Sequence, residues 1–350
     1  MTKFSDNDVV TLAMGAGGRE TGELLDGLVR PAIDNDILAQ GHDGARLTFP
    51  ATEGSSRLAF TTDSYVITPR FFPGGSIGDL AVNGTVNDLA MTGAVARCLS
   101  LGLILEEGLP LKELQQIMSD ISAAAKKANI KIVTGDTKVV PKGHGDGIYI
   151  NTAGIGEIIT DGFTVGPEKI AANLDIILSG SIGDHQATIL ALRHGIDAPE
   201  LTSDSQPLNG LMQEVIAAGK ATDGSNGVRC LRDATRGGLA AVLNELASAA
   251  GVGIVLDNSA IPIKPAVAGI CDLLGSDPLA MANEGKCVVF TDPAVTDSVL
   301  AAMKSHEAGR DASVIGRTTA KNAGLVAVST ELGALRLVEV PAGELVPRIC

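Results

Sequence analysis

Three stretches in the second half of the chain alternate strand, turn and helix signals. "NLDIILSGSIGDHQATILALRHGI" reads as strand, Gly-rich turn and helix. "RDATRGGLAAVLNELASAAGVGIVL" reads as turn, helix and strand, and "KCVVFTDPAVTDSVLAAMKSHEAG" as strand and helix. Short apolar runs interleaved with helix-spaced segments indicate mixed α/β layers. The first half carries a related signal. "LKELQQIMSDISAAAKKA" repeats Leu111, Leu114, Ile117 and Ile121 at helical spacing. It runs into the strand "NIKIVTGDTKVV" and then the strand "GDGIYINTAGIGEI".

A chain of 350 residues has room for two domains, each with its own core. The Gly- and Pro-marked stretch "TDGFTVGPEKI" places a break near residue 166. The expected organisation is an N-terminal segment 1–45, a domain 46–166, a domain 167–338 and a mobile tail 339–350. The expected fold class is mixed α/β (α+β): two α/β domains followed by a flexible C-terminal tail. The apolar strand "GIYINTAGIGEI" needs a partner surface and suggests a C2 homodimer.

The formal net charge of −14 argues against a nucleic-acid surface, which needs a basic patch. No segment approaches a membrane span, and the first residues lack the features of a signal peptide; a cytoplasmic protein is expected. The five cysteines are scattered, with no C-x-x-C, so neither a disulfide framework nor a zinc ribbon is indicated. Cys98, Cys230, Cys271 and Cys287 sit in apolar context, as core residues do. Cys350 is different. It ends the chain after the polar, Pro-bearing run "EVPAGELVPRIC", where chains commonly fray. From Val340 an extended tail spans on the order of 30 Å.

The common nucleotide and zinc-protease signatures, G-x-x-x-x-G-K-[ST], G-x-G-x-x-G and H-E-x-x-H, are absent. Small Asp-bearing clusters stand instead at apparent element ends: "FTTDSYV" with Asp63, "GTVNDLAMTG" with Asn87 and Asp88, "TGDTKVV" with Asp136 and Lys138, "SGSIGDHQ" with Asp184 and His185, "RDATRGG" with Asp233, and "ANEGK" with Glu284. A single Asp at a strand end is ordinarily a cap or turn residue. Several that converge repel one another unless cations bridge them, and hard oxygen ligands suit Mg²⁺ bridged to phosphate. Glycines beside them let backbone N–H groups approach phosphates. "SIGDLAVNGTVNDLAMTG" reads as a helix capped by Ser76, with Asp79, Asn83 and Asn87 on one polar stripe. The Gly-rich "MGAGGRETG" reads either as a loose start or as a loop over a ligand.

The order of these motifs is more specific than any one of them. "TTDSYVITPRFFPGGSIGDLAVNGTVNDLAMTGA", "GDTKVV", "SGSIGDHQ", "RDATRGG", "ANEGK" and the terminal "PRIC" closely resemble the HypE family, the carbamoyl dehydratases of [NiFe]-hydrogenase maturation. The resemblance runs from about "MGAGG" to Cys350. It places the chain in the ATP-binding superfamily of aminoimidazole ribonucleotide synthetase and selenophosphate synthetase. It implies two α/β domains, a dimer through the N-terminal sheets, and ATP with Mg²⁺ in a cleft. It implies a carbamoyl group placed on the terminal cysteine by HypF, dehydration to a thiocyanate, and transfer of cyanide to iron held by HypC–HypD. Carried over residue by residue, it implies Asp63, Asp88, Asp136 and Asp233 as metal ligands. The nucleotide set also includes Asn87, Thr137, Gly180, Asp184 and Thr235. Glu284 and Lys138 serve the dehydration and Cys350 is the carrier. The chain departs at Gln186, where the resemblance leads one to expect Gly.

The chemistry suits these residue types. Loss of water from a thiocarbamate, S–C(=O)–NH₂, expels a poor leaving oxygen. Phosphorylation by ATP makes it a good one, and a base such as Glu284 takes the N–H protons as C≡N forms. Lys138 holds phosphoryl oxygens or orients that carboxylate. Two other readings compete: a small-molecule ligase or kinase with Cys350 incidental, which predicts turnover by a tail-truncated chain, and an assembly factor using ATP as a switch, which predicts no mass change at Cys350.

Overall fold

The computed structural model describes residues 18–24, 26–27, 45–50, 55–158, 163–221, 224–330, 333–342 and 346–350. Residues 14–17 of the Gly-rich stretch lie outside the described residues. Its last four residues open helix α1 (Arg19–Leu24), whose Arg19 N–H donates to Pro341 O at 3.1 Å.

Strands β1 (Ala45–Pro50) and β2 (Ser55–Tyr65), a short hairpin β3 (Phe71–Phe72) and β4 (Gly75–Ser76), helix α2 (Ile77–Met91), β5 (Val95–Glu106), helix α3 (Leu111–Lys127), β6 (Lys131–Val140) and β7 (Ile148–Glu157) form the first half. Its sheet runs β1-β2-β7-β5-β6. Only β5 and β6 pair in parallel, joined by α3. β7 alternates as a half-covered strand must: Ile148, Ile150 and Thr152 are buried, while Asn151 and Ile155 face outward. On the inner face Leu99, Leu101 and Ile150 pack with Leu80 and Val86 of α2 and Ile117 and Ile121 of α3. The stripe read along α3 is buried at Ile117 and Ile121, but Leu111, the helix's first residue, is exposed. The outer face is bare: Phe60, Ile104 and Ile155 are 42%, 45% and 41% exposed.

The second half comprises β8 (Asp175–Leu178), α4 (Asp184–His194), α5 (Asn209–Ala218), β9 (Val228–Asp233), α6 (Gly238–Ala250), β10 (Gly253–Asp257), α7 (Pro265–Leu274), β11 (Cys287–Thr291), α8 (Pro293–Ser305), β12 (Ser313–Thr319), β13 (Val326–Ser329) and β14 (Leu335–Leu337). The seven strands run β14-β13-β10-β12-β8-β11-β9. Every residue of β8 and β11 is buried, because helices cover both faces. Ile176 and Leu178 pack toward Leu239 and Leu243 of α6. Ile177 and Val289 pack toward Leu211 of α5 and Val299 of α8.

Helix α2 joins the two halves. It opens as expected at Ser76, whose hydroxyl accepts from Gly78 N while Asp79 accepts from the Ser76 N–H, a capping box. The polar stripe continues into interdomain contacts. Asn83 donates to Ser205 Oγ at 3.1 Å. Asn87 donates to Gln206 O at 3.1 Å and accepts from Leu208 N at 2.7 Å. Residues 346–350 are seated between the halves, with Ile349 and Cys350 buried.

Candidate functional site

The site forms where the C-terminal end of β2 meets the turn after β9 and the chain terminus. At β2, Thr61 Oγ1 donates to Asp88 Oδ2 of α2 at 2.7 Å. The strand's pleat sends Asp63 and Tyr65 toward the helices and Thr62 and Ser64 toward the bare face. Tyr65 is buried and its hydroxyl donates to Asp63 Oδ2 at 3.3 Å. The ring fits because α2 carries a glycine beside it: a Cβ on Gly84 would stand 2.3 Å from Tyr65 Oη. Burial, then the Asp63 charge, holds the phenol well above its ordinary pKa.

The second wall comes from "RDATRGG". Asp233 ends β9 and is buried. Gly237 and Gly238 follow at φ +73° and +60°, left-handed values that glycine adopts without penalty. A Cβ on Gly238 would also stand 2.4 Å from Met281 O. This tight double-glycine turn presents Thr235 and Arg236 to the cavity.

The third wall is the "ANEGK" loop. Asp204 accepts from the backbone N–H groups of Glu284 at 3.2 Å and Gly285 at 3.1 Å. Gln186, the departure in "SGSIGDHQ", holds the same loop: its side-chain oxygen accepts from Ala282 N at 2.9 Å. Glu284 is thereby fixed at 3% exposure, with Oε1 lacking a hydrogen-bond partner. Burial, then the Asp204 charge, raises its pKa well above the carboxylate range, against the pull of Arg236.

Cys350 completes the enclosure. Arg236 Nε donates to Cys350 Sγ at 2.8 Å. Together Thr62, Asp63, Ser64, Tyr65, Gly84, Asp88, Asp233, Thr235, Arg236, Glu284 and Cys350 line a cavity of about 360 Å³. Sequence reading missed Tyr65 and Arg236, although both lie in quoted motifs. For Arg236 the usable signal was the Gly-Gly pair that follows it.

The remaining expected residues stand elsewhere. Asp136, Thr137 and Lys138 lie on β6, three ladder spacings from β2, about 14 Å by strand geometry. Asp136 and Lys138 are 70% and 68% exposed and pair with each other at 2.6 Å. Pairing with Gly102 and Ile104 puts both on the bare face. Asn87 is engaged between domains. Gly180 and Asp184 sit in and after the turn following β8, where Asp184 accepts from Ser181 at 2.6 Å and pairs with Lys264 at 3.0 Å.

Among the described residues, no three His, Cys, Asp or Glu side chains form a metal cage. The donor set still fits Mg²⁺, which binds through one or two carboxylates plus phosphate oxygens and water. Asp63, Asp88 and Asp233 line one cavity with Glu284, an acidic lining that a divalent cation relieves.

Comparison with known proteins agrees with this architecture. Residues 41–158 match the N-terminal domain of AIR synthase related proteins and residues 172–328 match their C-terminal domain. The carbamoyl dehydratase HypE of Rhizobium leguminosarum bv. viciae is 45% identical, over 98% of this chain and 96% of its own. HypE in a solved HypE–HypF complex superposes with a TM-score of 0.83 at 39% identity, covering 91% of this chain and 99% of that one. A HypE solved with ATP superposes at 0.79 with 40% identity, covering 98% and 100%. With both AIR synthase related domains present and the likeness running the length of the chain, the protein belongs to the carbamoyl dehydratase HypE family.

Proposed function

We propose that this chain is an ATP-dependent carbamoyl dehydratase whose substrate is its own C-terminal Cys350, converted from S-carbamoyl to S-cyanocysteine. The cyanide then serves the iron of [NiFe]-hydrogenase. The observation that carries the reading is the burial of Cys350 Sγ in an acidic cavity, beside Arg236 and in the same enclosure as Glu284. The relatives' activity and the ATP and HypF complexes of similar proteins support it.

The thiocarbamate oxygen takes the γ-phosphoryl group of ATP. The C–O bond to that phosphate then breaks, two N–H protons leave, and C≡N forms on sulfur. Glu284, buried and with one unsatisfied oxygen, is the base for the N–H protons. Arg236 holds the sulfur and steadies charge on the adjoining oxygen. Mg²⁺ held by Asp63, Asp88 and Asp233 would neutralise charge on the transferred phosphoryl group.

Lys138 and Asp136 enter through a homodimer in this reading. Thr62 and Ser64 line the cavity and also lie on the bare face, so the cavity opens onto it. A second copy packed on Phe60, Ile104 and Ile155 would bring its own β6 to that opening. HypF donates the carbamoyl group and a HypC–HypD complex accepts the cyanide. The tail leaves the cavity for both encounters. A reduced terminal thiol suits the cytoplasm.

The test is intact mass of the chain after incubation with a HypF-type carbamoyltransferase, carbamoyl phosphate and ATP. Wild type gains the mass of a carbamoyl group less one water at Cys350. Glu284→Gln stops at the full carbamoyl adduct. An unmodified Cys350, or ATP hydrolysis without any adduct, overturns the reading.

A further inference from the structure

We infer that the groove leading to the cavity is a binding site for a peptide C-terminus, and that the chain's own last four residues are a separable ligand in it. The acceptor atoms are the observation. Each main-chain carbonyl from Pro347 to Ile349, and an oxygen of the terminal carboxylate of Cys350, is taken by a donor outside the tail. Arg193 donates to Pro347 O at 2.8 Å and to Arg348 O at 2.6 Å. His185 Nε2 meets Ile349 O at 2.8 Å. Because a carbonyl only accepts, the imidazole must carry its proton there, and Nδ1 then accepts from Ser203 Oγ at 2.8 Å.

The remaining donors come from the segment after β2. Thr68 N donates to Arg348 O and Val66 N to Cys350 O, each at 3.1 Å. These two main-chain bonds lay the tail alongside the segment after β2, and Pro347 and Arg348 turn within it. Arg193 Nε also donates to Thr68 O at 2.8 Å, so one guanidinium ties both sides of the groove.

Side chains add register. Ile349 is 5% exposed, among Ile67, Phe72, Ile189 and Ala282. Arg348 pairs with Asp146, donates to Val66 O at 3.3 Å and is held at φ +55°. That is a region a non-glycine residue avoids when left to itself, so the groove imposes it. Main-chain carbonyls, one apolar pocket, one carboxylate and the thiol cavity together define a tetrapeptide site reading Pro-Arg-Ile-Cys from its end.

Nothing in this recognition uses the covalent link to the rest of the chain. The substrate class of the cavity is accordingly a peptide ending in this sequence, supplied in cis by the tail or in trans by a free peptide. This extension to substrate rests on the proposed dehydration; the binding does not.

The test uses full-length chains and a fluorescent peptide ending in Val-Pro-Arg-Ile-Cys, without ATP or a carbamoyl donor, read by anisotropy. Ile349→Asp empties the groove of its own tail while leaving the body of the chain intact, which circular dichroism checks. This variant is expected to bind the peptide saturably. In wild type the tail competes for the groove, so the peptide is expected to bind about tenfold more weakly or worse. Adding Arg193→Ala to Ile349→Asp removes binding, and a scrambled peptide ending in Val-Pro-Cys-Ile-Arg does not bind. No saturable binding to Ile349→Asp, equal binding by wild type, or equal binding of the scrambled peptide overturns the inference. A chain that passes the mass test yet fails here is a dehydratase without a separable peptide site; one that binds here yet shows no adduct has the site without the chemistry.

Discussion

The two sheets of this molecule obey different rules. The seven-stranded sheet is closed on both faces, and β8 and β11 bury every residue. The five-stranded sheet alternates, with one face under α2 and α3 and the other bare. The first pattern belongs to a sheet completed within one chain and the second to a sheet that awaits something. The residues proposed for the reaction follow the same division. Asp63, Asp88, Asp233 and Glu284 are positioned by the chain itself, whereas Asp136 and Lys138 stand on the bare face, paired with each other in solvent. Motifs that look alike in sequence therefore differ in what completes them.

The largest expected contrast comes from one charge placed in each sheet. Val289→Asp, buried in the closed sheet, places an unpaired carboxylate in a dry core and should cost more than about 4 kcal/mol, seen as loss of cooperative melting. Ile155→Asp, on the bare face, should leave the melting of the chain cooperative but halve the mass measured by light scattering. If both variants unfold, or if Ile155→Asp keeps the wild-type mass, the contrast between the sheets fails.

Next in size is complementation. Lys138→Ala and Glu284→Gln should each lower cyanocysteine formation by about 10²-fold or more. Mixed dimers of the two should recover turnover, because one of their two sites then has Glu284 from one protomer and Lys138 from the other. Mixed dimers as inactive as the parents would place both residues in the same chain's site and remove the bare face from the mechanism.

A smaller effect sharpens the closed side of the cavity. Gly84→Ala gains helix propensity but drives Tyr65 out of its seat, so it should destabilise by about 1–3 kcal/mol and weaken ATP binding. Pairing it with Tyr65→Phe removes the clashing hydroxyl and should restore much of the stability in denaturant titrations. If Gly84→Ala melts as wild type, the Tyr65 packing is not tight.

The smallest expected effect is the pH response of the docked tail. Burial depresses the His185 pKa, with Arg193 adding to it and Asp204 and Ile349 O opposing. The free form thus takes up a proton more readily than the docked form. Docking is full above the ordinary imidazole pKa of about 6.5 and weakens as pH falls below it toward the lowered value. The wild-type Tm should drop more between pH 7 and pH 5.5 than that of His185→Gln; parallel curves would mean His185 does not govern the response.

Much of this was legible in the residues. The Ser76 cap, the helix behind it and the alternating strand at 148–157 follow from local rules, since their partners lie within a few residues in sequence. The stripe Asp79, Asn83 and Asn87 was legible as polar but not as to purpose. Asp79 caps the helix, while Asn83 and Asn87 bind a loop more than a hundred positions away. The place of Asp136 and Lys138 was likewise hidden. Motif order says which residues matter, but the distance from β6 to the cavity depends on strand order, which local pattern leaves undetermined. Arg236 was read past because Asp and Thr beside it drew the chemistry, although only the paired glycines make its turn possible.

The seat of Cys350 has a consequence for how the chain survives between turnovers. Burial, then the nearby Glu284 charge, pushes the docked thiol up to about 12. The thiolate is the form that reacts with peroxide and electrophiles, and a docked Cys350 is held as the neutral thiol at neutral pH. A tail in solvent returns to the ordinary thiol range of about 8.5 and loses that shelter. The resting pose is thus a sheath for the most oxidisable end of the molecule. The rate at which dilute peroxide converts Cys350 to sulfenic acid measures how often the tail is out.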